Sequence, residues 1–192
     1  MSEEKTRRPG GRSARVREDV HRAVMALVAE RGYGNFTVGD VAAAAGVADS
    51  SIYRRWGTLE ALFSEVSLTW LTTYSPIPDT GSLRGDLHAY AAGVLRDVTG
   101  PSGLAVLRLM LALSTAGPSG LEARERFLAA RGAQLQAMVD RAAERGEHPP
   151  HPLDVVDHIL APLYVRALFG IDGLTPEYID RLVTCVLQLA DT

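Results

Sequence analysis

Within residues 49–55, Asp49, Ser50, Ser51, Tyr53, Arg54 and Arg55 bring together a carboxylate, three hydroxyls and two guanidinium groups. No glycine-rich phosphate loop, nucleophile elbow or zinc-spaced cysteine set accompanies them, so the chemistry they suit is recognition rather than bond-making. Arginine reads guanine or grips phosphate, serine meets either kind of base, and a tyrosine hydroxyl donates to phosphate. An acid in the set selects cytosine or simply serves as a favourable charge at a helix N-terminus. His148, His151 and His158 are the other cluster with a hint of chemistry. Intervening prolines and the lack of nearby cysteines favour a plain surface loop over a metal site. No carboxylate pair has a spacing that demands acid–base work. No catalytic residue, metal or cofactor is expected, and the chain is not read as an enzyme.

The recognition set needs a short helix to stand on, and residues 36–56 supply one. Thr37 is a suitable N-cap with Asp40 three residues on, where a capping box wants an acid, and Phe36 and Val41 can staple the entry. Val38, Val41, Ala42 and Ala45 recur at helical spacing, and Gly46 can end the helix in the left-handed conformation. A second helix then buries Ala48, Ile52 and Trp56 and leaves the polar set on its opposite side. Two short helices with a glycine turn describe a helix-turn-helix, whose second helix enters the major groove. A pair of solvated helices in an ordinary bundle has the same pattern. A preceding helix from about Ser13 to Arg31, with Val16, Val20, Ala23, Val24 and Leu27 inward and Gly32 closing it, completes a three-helix head, with Tyr33 at the junction.

Several runs in order, Phe36-Thr37-Val38, Val41-Ala42, Ala45-Gly46-Val47, Ser51-Ile52-Tyr53-Arg54-Arg55-Trp56 and Leu59-Glu60-Ala61-Leu62-Phe63, resemble the N-terminal domain of TetR/AcrR-type transcriptional regulators. The resemblance covers about the first quarter of the chain. It implies that Thr37, Ser50, Ser51, Tyr53, Arg54 and Arg55 occupy positions that touch DNA. Two departures stand out: Leu59 replaces the lysine that usually begins the family's fourth helix as a phosphate clamp, and Asp49 adds an acid.

The formal net charge of -3 argues at first against a nucleic-acid partner. Its distribution restores the reading, because residues 1–60 carry 10 basic and 8 acidic side chains against 10 and 15 in residues 61–192. Lys5, Arg7, Arg8, Arg12, Arg15 and Arg17 form a basic arm that could track phosphates, or a solvated tail. The single Cys185 and the lack of a signal peptide point to the cytoplasm.

The segments expected are a flexible basic arm at 1–12, the helix-turn-helix domain at 13–57, a connecting helix at 58–78 and a helical ligand-binding and dimerisation domain at 79–192. Thr58 should cap the connecting helix, whose stripe Leu59, Leu62, Phe63, Val66, Trp70 and Tyr74 is long enough to reach the second domain before Pro76 and Pro78 break it. Helices are expected at 82–99, at 102–116 with apolar residues nearly all round, and from a Ser119 cap to Arg145. In the last of these Leu121 and Leu128 count among the covered residues. An apolar ligand pocket is expected from Trp70, Tyr74, His88, Tyr90, Leu107, Met110, Phe127 and Met138, most of them adaptable or aromatic. Two final helices, about 152–169 with a kink at Pro162 and 175–190, are apolar on two sides. Ile159, Leu163, Tyr164, Leu182, Val183 and Val186 are therefore expected to face a second subunit.

The fold class expected is all-α: an N-terminal three-helix DNA-binding domain plus a C-terminal helical domain for ligand and dimer. The function expected is a cytoplasmic, homodimeric regulator, a repressor released from a pseudo-palindromic double-stranded DNA operator by a small-molecule effector, with no membrane partner. An activator of the same fold, or a helical enzyme or carrier with a vestigial helix-turn-helix, are the alternatives.

Overall fold

The structure, a computed structural model, describes residues 11–32, 34–100 and 103–190. Lys5, Arg7, Arg8, the side chain of Arg12, and Tyr33 lie outside the described residues. Every regular element among those described is helical: α1 (Gly11–Arg31), α2 (Val38–Ala45), α3 (Asp49–Trp56), α4 (Leu59–Tyr74), α5 (Leu83–Thr99), α6 (Gly103–Leu113), α7 (Gly117–Glu144), α8 (Pro152–Val155), α9 (Ala161–Phe169) and α10 (Pro176–Ala190). A π-helical turn, Val156–Leu160, joins α8 to α9 in one continuous rod. The Ala161 amide donates to the Val156 carbonyl, five residues back. Pro162 follows and has no N–H to give, so the ladder is reset there instead of simply kinking.

Apolar spacing builds two cores. In the first, Val20, Val24, Leu27 and Val28 of α1 meet Val38, Val41, Ile52, Leu62, Phe63 and Val66. This core runs on without a break into Val106, Leu109, Met110 and Leu113 of α6 and Phe127 of α7. In the second, Leu83, Leu87, Tyr90 and Val94 of α5 pack with Leu135 and Met138 of α7 and with the closing helices. The buried residues thus divide across α7. Its first half belongs with the N-terminal three-helix head and its second half with the helices of the C-terminal part.

Close approaches and polar ties fix this arrangement. A Cβ on Gly120 would lie 2.5 Å from the Leu113 carbonyl oxygen, so only glycine lets α7 leave α6 at that angle. Asp86, fully buried, accepts from the Thr80 amide (2.6 Å), the Thr80 hydroxyl (2.8 Å) and Arg145 (3.2 Å). Burial pushes its carboxyl upward, but these bonds outweigh burial and hold it below the usual range. Glu147 takes the Leu83 amide at 2.8 Å, and the two acids together lock the start of α5 to the end of α7.

Several sequence expectations are corrected. α1 begins at Gly11, so Arg15 and Arg17 stand on a helix and not in an arm. α7 begins at Gly117, with Pro118 in its first turn, and Ser119 is no cap. Leu111 is 54% exposed and Leu128 55%, with Leu121 also exposed, so α6 is not surrounded and α7 covers fewer leucines than its pattern suggests. The largest correction concerns the expected subunit interface: Ile159, Leu163, Val183 and Val186 are 0–1% exposed within the single chain, while Tyr164 and Leu182 are half-buried. The helices α8–α10 spend the four buried residues on α5 and on each other, so their side chains are already covered within one chain. The apolar residues they leave outward are Leu153, Val165, Phe169 and Leu189.

Candidate DNA interface and ligand cavity

The reading head starts from a reciprocal cap. Thr37 Oγ1 accepts from the Asp40 amide (3.3 Å), and Asp40 Oδ2 accepts from the Thr37 amide (2.8 Å) and hydroxyl (2.7 Å). The Thr37 hydroxyl, its backbone amide and Arg31 together hold the Asp40 carboxyl below its ordinary range. Gly46 then adopts φ 65°, ψ 35°, and the Val47 amide closes back on Ala42 O at 3.0 Å. This is the left-handed turn that sends α3 across α2. Ala48 caps α3 without a side-chain bond, which leaves Asp49 as the first-turn acid facing the helix dipole. Its carboxylate leans towards α2, since a Cβ on Gly39 would stand 3.4 Å from Asp49 Oδ2.

α3 buries Ile52 and half-buries Trp56, while Ala48, expected on the same stripe, is exposed. Asp49, Ser50, Tyr53, Arg54 and Arg55 are exposed, Tyr53 to 54%, and Ser51 is half-buried. The side chains of Tyr53 and Arg54 make no hydrogen bond to another described residue. Arg55 differs. Its guanidinium donates to Ser13 O (3.1 Å) and Ser13 Oγ and sits 5.4 Å from the Trp56 ring, so it ties α3 to the start of α1. Leu59 is half-buried at the start of α4, where Thr58 caps the Ala61 amide.

Behind α3, a second tie crosses from α1 to α4. Glu65 accepts from Arg17 Nε (2.7 Å) and lies 3.0 Å from His21 Nε2, and the His21 ring is 6.3 Å from that of Trp56. Burial holds the imidazole below its ordinary value, against the pull of Glu65. A neutral ring donating Nε2–H to the carboxylate fits both observations. Burial pushes Glu65 upward, and the bonds from His21 and Arg17 outweigh it, leaving the acid below its usual range.

The expected pocket residues are brought together only in part. Trp70, Leu107, Met110 and Phe127 line a small, partly open cavity of ≈ 40 Å³ with Val94, Asp97, Val98, Val106 and Tyr164. Trp70 and Tyr74 line a larger open cleft of ≈ 470 Å³, walled by α1 residues Glu18, His21, Arg22 and Met25 and by Arg96 and Asp97. Tyr90 is buried one helical turn below Val94. His88 points away, 2.7 Å from Asp180, and Met138 is packed solidly in the second core, so neither lines the cavity. Sequence reasoning missed Asp97 and gave Tyr164 to the dimer. The signals were present: Asp97 follows Tyr90 and Val94 on one face of α5, and Arg131 falls in the inward row of Phe127, Leu135 and Met138 on α7.

Among the described residues no group of three metal-ligating side chains assembles. His151 Nδ1 accepts from the Leu153 amide (3.2 Å) as a helix cap, and His158 Nδ1 lies 3.0 Å from Asp154 O. No helix among them is long and apolar enough to cross a membrane.

Comparison with known proteins agrees with this architecture. Residues 22–66 match the family described as bacterial regulatory proteins, tetR family, and residues 77–186 match the tetracyclin repressor-like C-terminal domain. The HTH-type transcriptional regulator AqdR of Rhodococcus erythropolis is 36% identical over 71% of this chain, and the chain spans 65% of that protein's length. The uncharacterized HTH-type regulator YdeS of Bacillus subtilis is 28% identical over 86% of this chain and 87% of its own. The crystal structure of one TetR family transcription regulator superposes with a TM-score of 0.69 at 26% identity, covering 90% of this chain and 97% of that one. With both halves matched in order and the fold shared, the chain belongs to the TetR family of helix-turn-helix transcriptional regulators.

Proposed function

We propose that the protein is a cytoplasmic repressor, not an enzyme, that binds a pseudo-palindromic DNA operator as a homodimer and releases it when a small apolar or amphipathic effector enters the C-terminal half. The observation that carries this reading is the exposed set on α3, Ser50, Tyr53 and Arg54, unpartnered on a helix bolted from behind through Arg55 and Trp56. Tyr53 and Ser50 meet phosphate, Arg54 reads a base edge, and Thr37 contributes at the start of α2. Arg55 and Asp49 act more through the head: Arg55 fixes the angle of α3 to α1, and Asp49 stabilises the first turn of α3 while disfavouring a nearby phosphate. Leu59 offers no cation at the α4 start, so α3 and the basic N-terminal residues carry the electrostatic share.

A second copy covers the outward apolar residues Leu153, Val165 and Phe169. These lie on the closing helices and outside the single chain's two cores. Two heads held by one dimer then require half-sites at a fixed spacing. The effector favours a state in which the heads no longer match successive grooves, and it shifts the balance only by as much as it prefers that state. Selection from a random duplex pool at several salt concentrations tests the reading. An enriched palindrome whose affinity falls steeply with salt supports it, and equal retention of all sequences sinks it.

A further inference from the structure

Arg131 is 5% exposed, yet its guanidinium has only neutral hydrogen-bond partners, Gln134 Oε1 and Ser75 Oγ, each at 3.2 Å. No carboxylate lies within ion-pair distance of it among the described residues. A desolvated cation without a contact anion is costly, and such a group calls for negative charge. The Tyr90 ring stands 5.5 Å from the guanidinium, and its buried hydroxyl has no acceptor for its proton among the described residues, Arg131 being the hydrogen-bonding neighbour it feels. Burial pushes that phenol well above its ordinary range against the opposing pull of Arg131, so it stays a neutral donor. Both groups interact electrostatically with Asp97 and Tyr164, which line the 40 Å³ cavity. Along their helices Tyr90 is one turn from Val94 and Arg131 one turn from Phe127, both of which also line it.

The place is mechanically apt. Trp70, Met110 and Phe127 belong to the first core or pack on it, whereas Val94, Val98 and Tyr164 belong with the second, so the cavity lies on the seam between the two. Trp70 and Asp97 border both this cavity and the 470 Å³ cleft against α1, so the two spaces are neighbours. The charges lining the cleft are Arg22, Arg96, Glu18 and Asp97, and of these Asp97 feels the pull of Arg131 without bonding to it.

We infer that the effector is an apolar monoacid, whose anionic oxygen is received by Arg131 and the Tyr90 hydroxyl while its apolar body parts the seam and enlarges the 40 Å³ cavity between Trp70, Met110 and Phe127. This rests on the repressor reading of the same domain. A charge-assisted bond to a buried arginine is among the strongest polar contacts available, and the phenol adds a second donor. Asp97 opposes the incoming anion. Its carboxyl, pushed above the ordinary range by burial against the pull of Arg96 and Arg131, makes no hydrogen bond to another described residue.

Calorimetry on the full chain uses two matched probe sets: decanoate, decan-1-ol and decylamine, and 1-naphthaleneacetate with 1-naphthaleneethanol. In at least one set the acid binds about tenfold more tightly than its alcohol, and decylamine binds worst of the decyl series. Arg131→Gln brings the acid to the level of the alcohol without weakening the alcohol, and Asp97→Asn tightens the acid. Because Arg131 also ties α7 to the end of α4, Tyr90→Phe is the second variant; it keeps the ring and lowers the acid-to-alcohol ratio several-fold. Alcohols matching acids in both sets, an amine that binds best, or an unchanged ratio in Tyr90→Phe each overturn the inference. Operator binding measured on the same preparations separates the two failures. Protein that selects no duplex refutes the repressor, whereas protein that selects a duplex but ignores the acids refutes only the effector class.

Discussion

The two ends of the molecule invert each other. In the N-terminal head the apolar side chains are inside, and the side chains proposed to meet DNA, Ser50, Tyr53 and Arg54, are outside and exposed. In the regulatory half the polar groups of interest, Arg131, Tyr90 and Asp86, are inside, and Leu153, Val165 and Phe169 are apolar and outside. An exposed polar set costs the fold nothing and can be replaced without unfolding it. A buried polar set is bound up with stability, so function and folding are harder to separate there. The continuous first core adds a further lesson: α6 and the first half of α7 pack into the head's own core, so the seam is joined to the head through packed side chains as well as through α4.

Substitutions can break this contrast or sharpen it. The largest effect is expected for Leu163→Ala, about 3 kcal/mol of lost stability by denaturant titration, because the side chain is fully buried in one chain. Phe169→Ser, at 77% exposure, should leave chain stability nearly intact and weaken the dimer in sedimentation. A reversed pair of results would return the interface to the buried face. Asp86→Ala should cost about 2 kcal/mol, since it strands the Thr80 amide and one arm of a part-exposed Arg145.

Arg54→Ala should cost about 1–3 kcal/mol of operator binding and relax preference at one base position, with stability unchanged to within about 0.5 kcal/mol. A melting temperature that falls in step with affinity would show that the head is not the separable surface described. The smallest effect concerns pH. The folded state holds His21 below its ordinary value, so the stability this ring contributes is complete above the unfolded value of about 6.5 and is lost as pH falls through the lower folded value. Glu65, also depressed, loses its share at more acid pH still. His21→Gln should therefore flatten the decline in melting temperature between about pH 7 and 5. An unchanged slope would place the acid sensitivity elsewhere.

Much of the head was legible from one strand of text. The capping box at Thr37 and Asp40, the Gly46 turn and the inward Ile52 follow from neighbours within a few residues, where spacing alone fixes which atoms meet. The role of Arg55 was not legible, because Ser13, its partner, lies 42 residues away. The closing helices misled for a related reason. Periodicity suggested two apolar sides on both, but α10 buries one side and turns Glu177, Asp180, Arg181 and Gln188 outward, and the face it buries holds Val183 and Val186, which were assigned to a partner.

What the sequence by itself determined is therefore local: helix after helix, their caps and breaks, and a polar face on α3 that had no apolar reason to exist. What only the tertiary structure decided is which distant residues share a space. Arg131 is one arginine among many along the chain until α4, α5 and α7 converge and remove it from water beside Tyr90. Helical spacing is set by covalent geometry and hydrogen bonds a turn long, so it can be read along the chain. Burial is a property of the assembled set, and a charge acquires its meaning from the solvent it has lost.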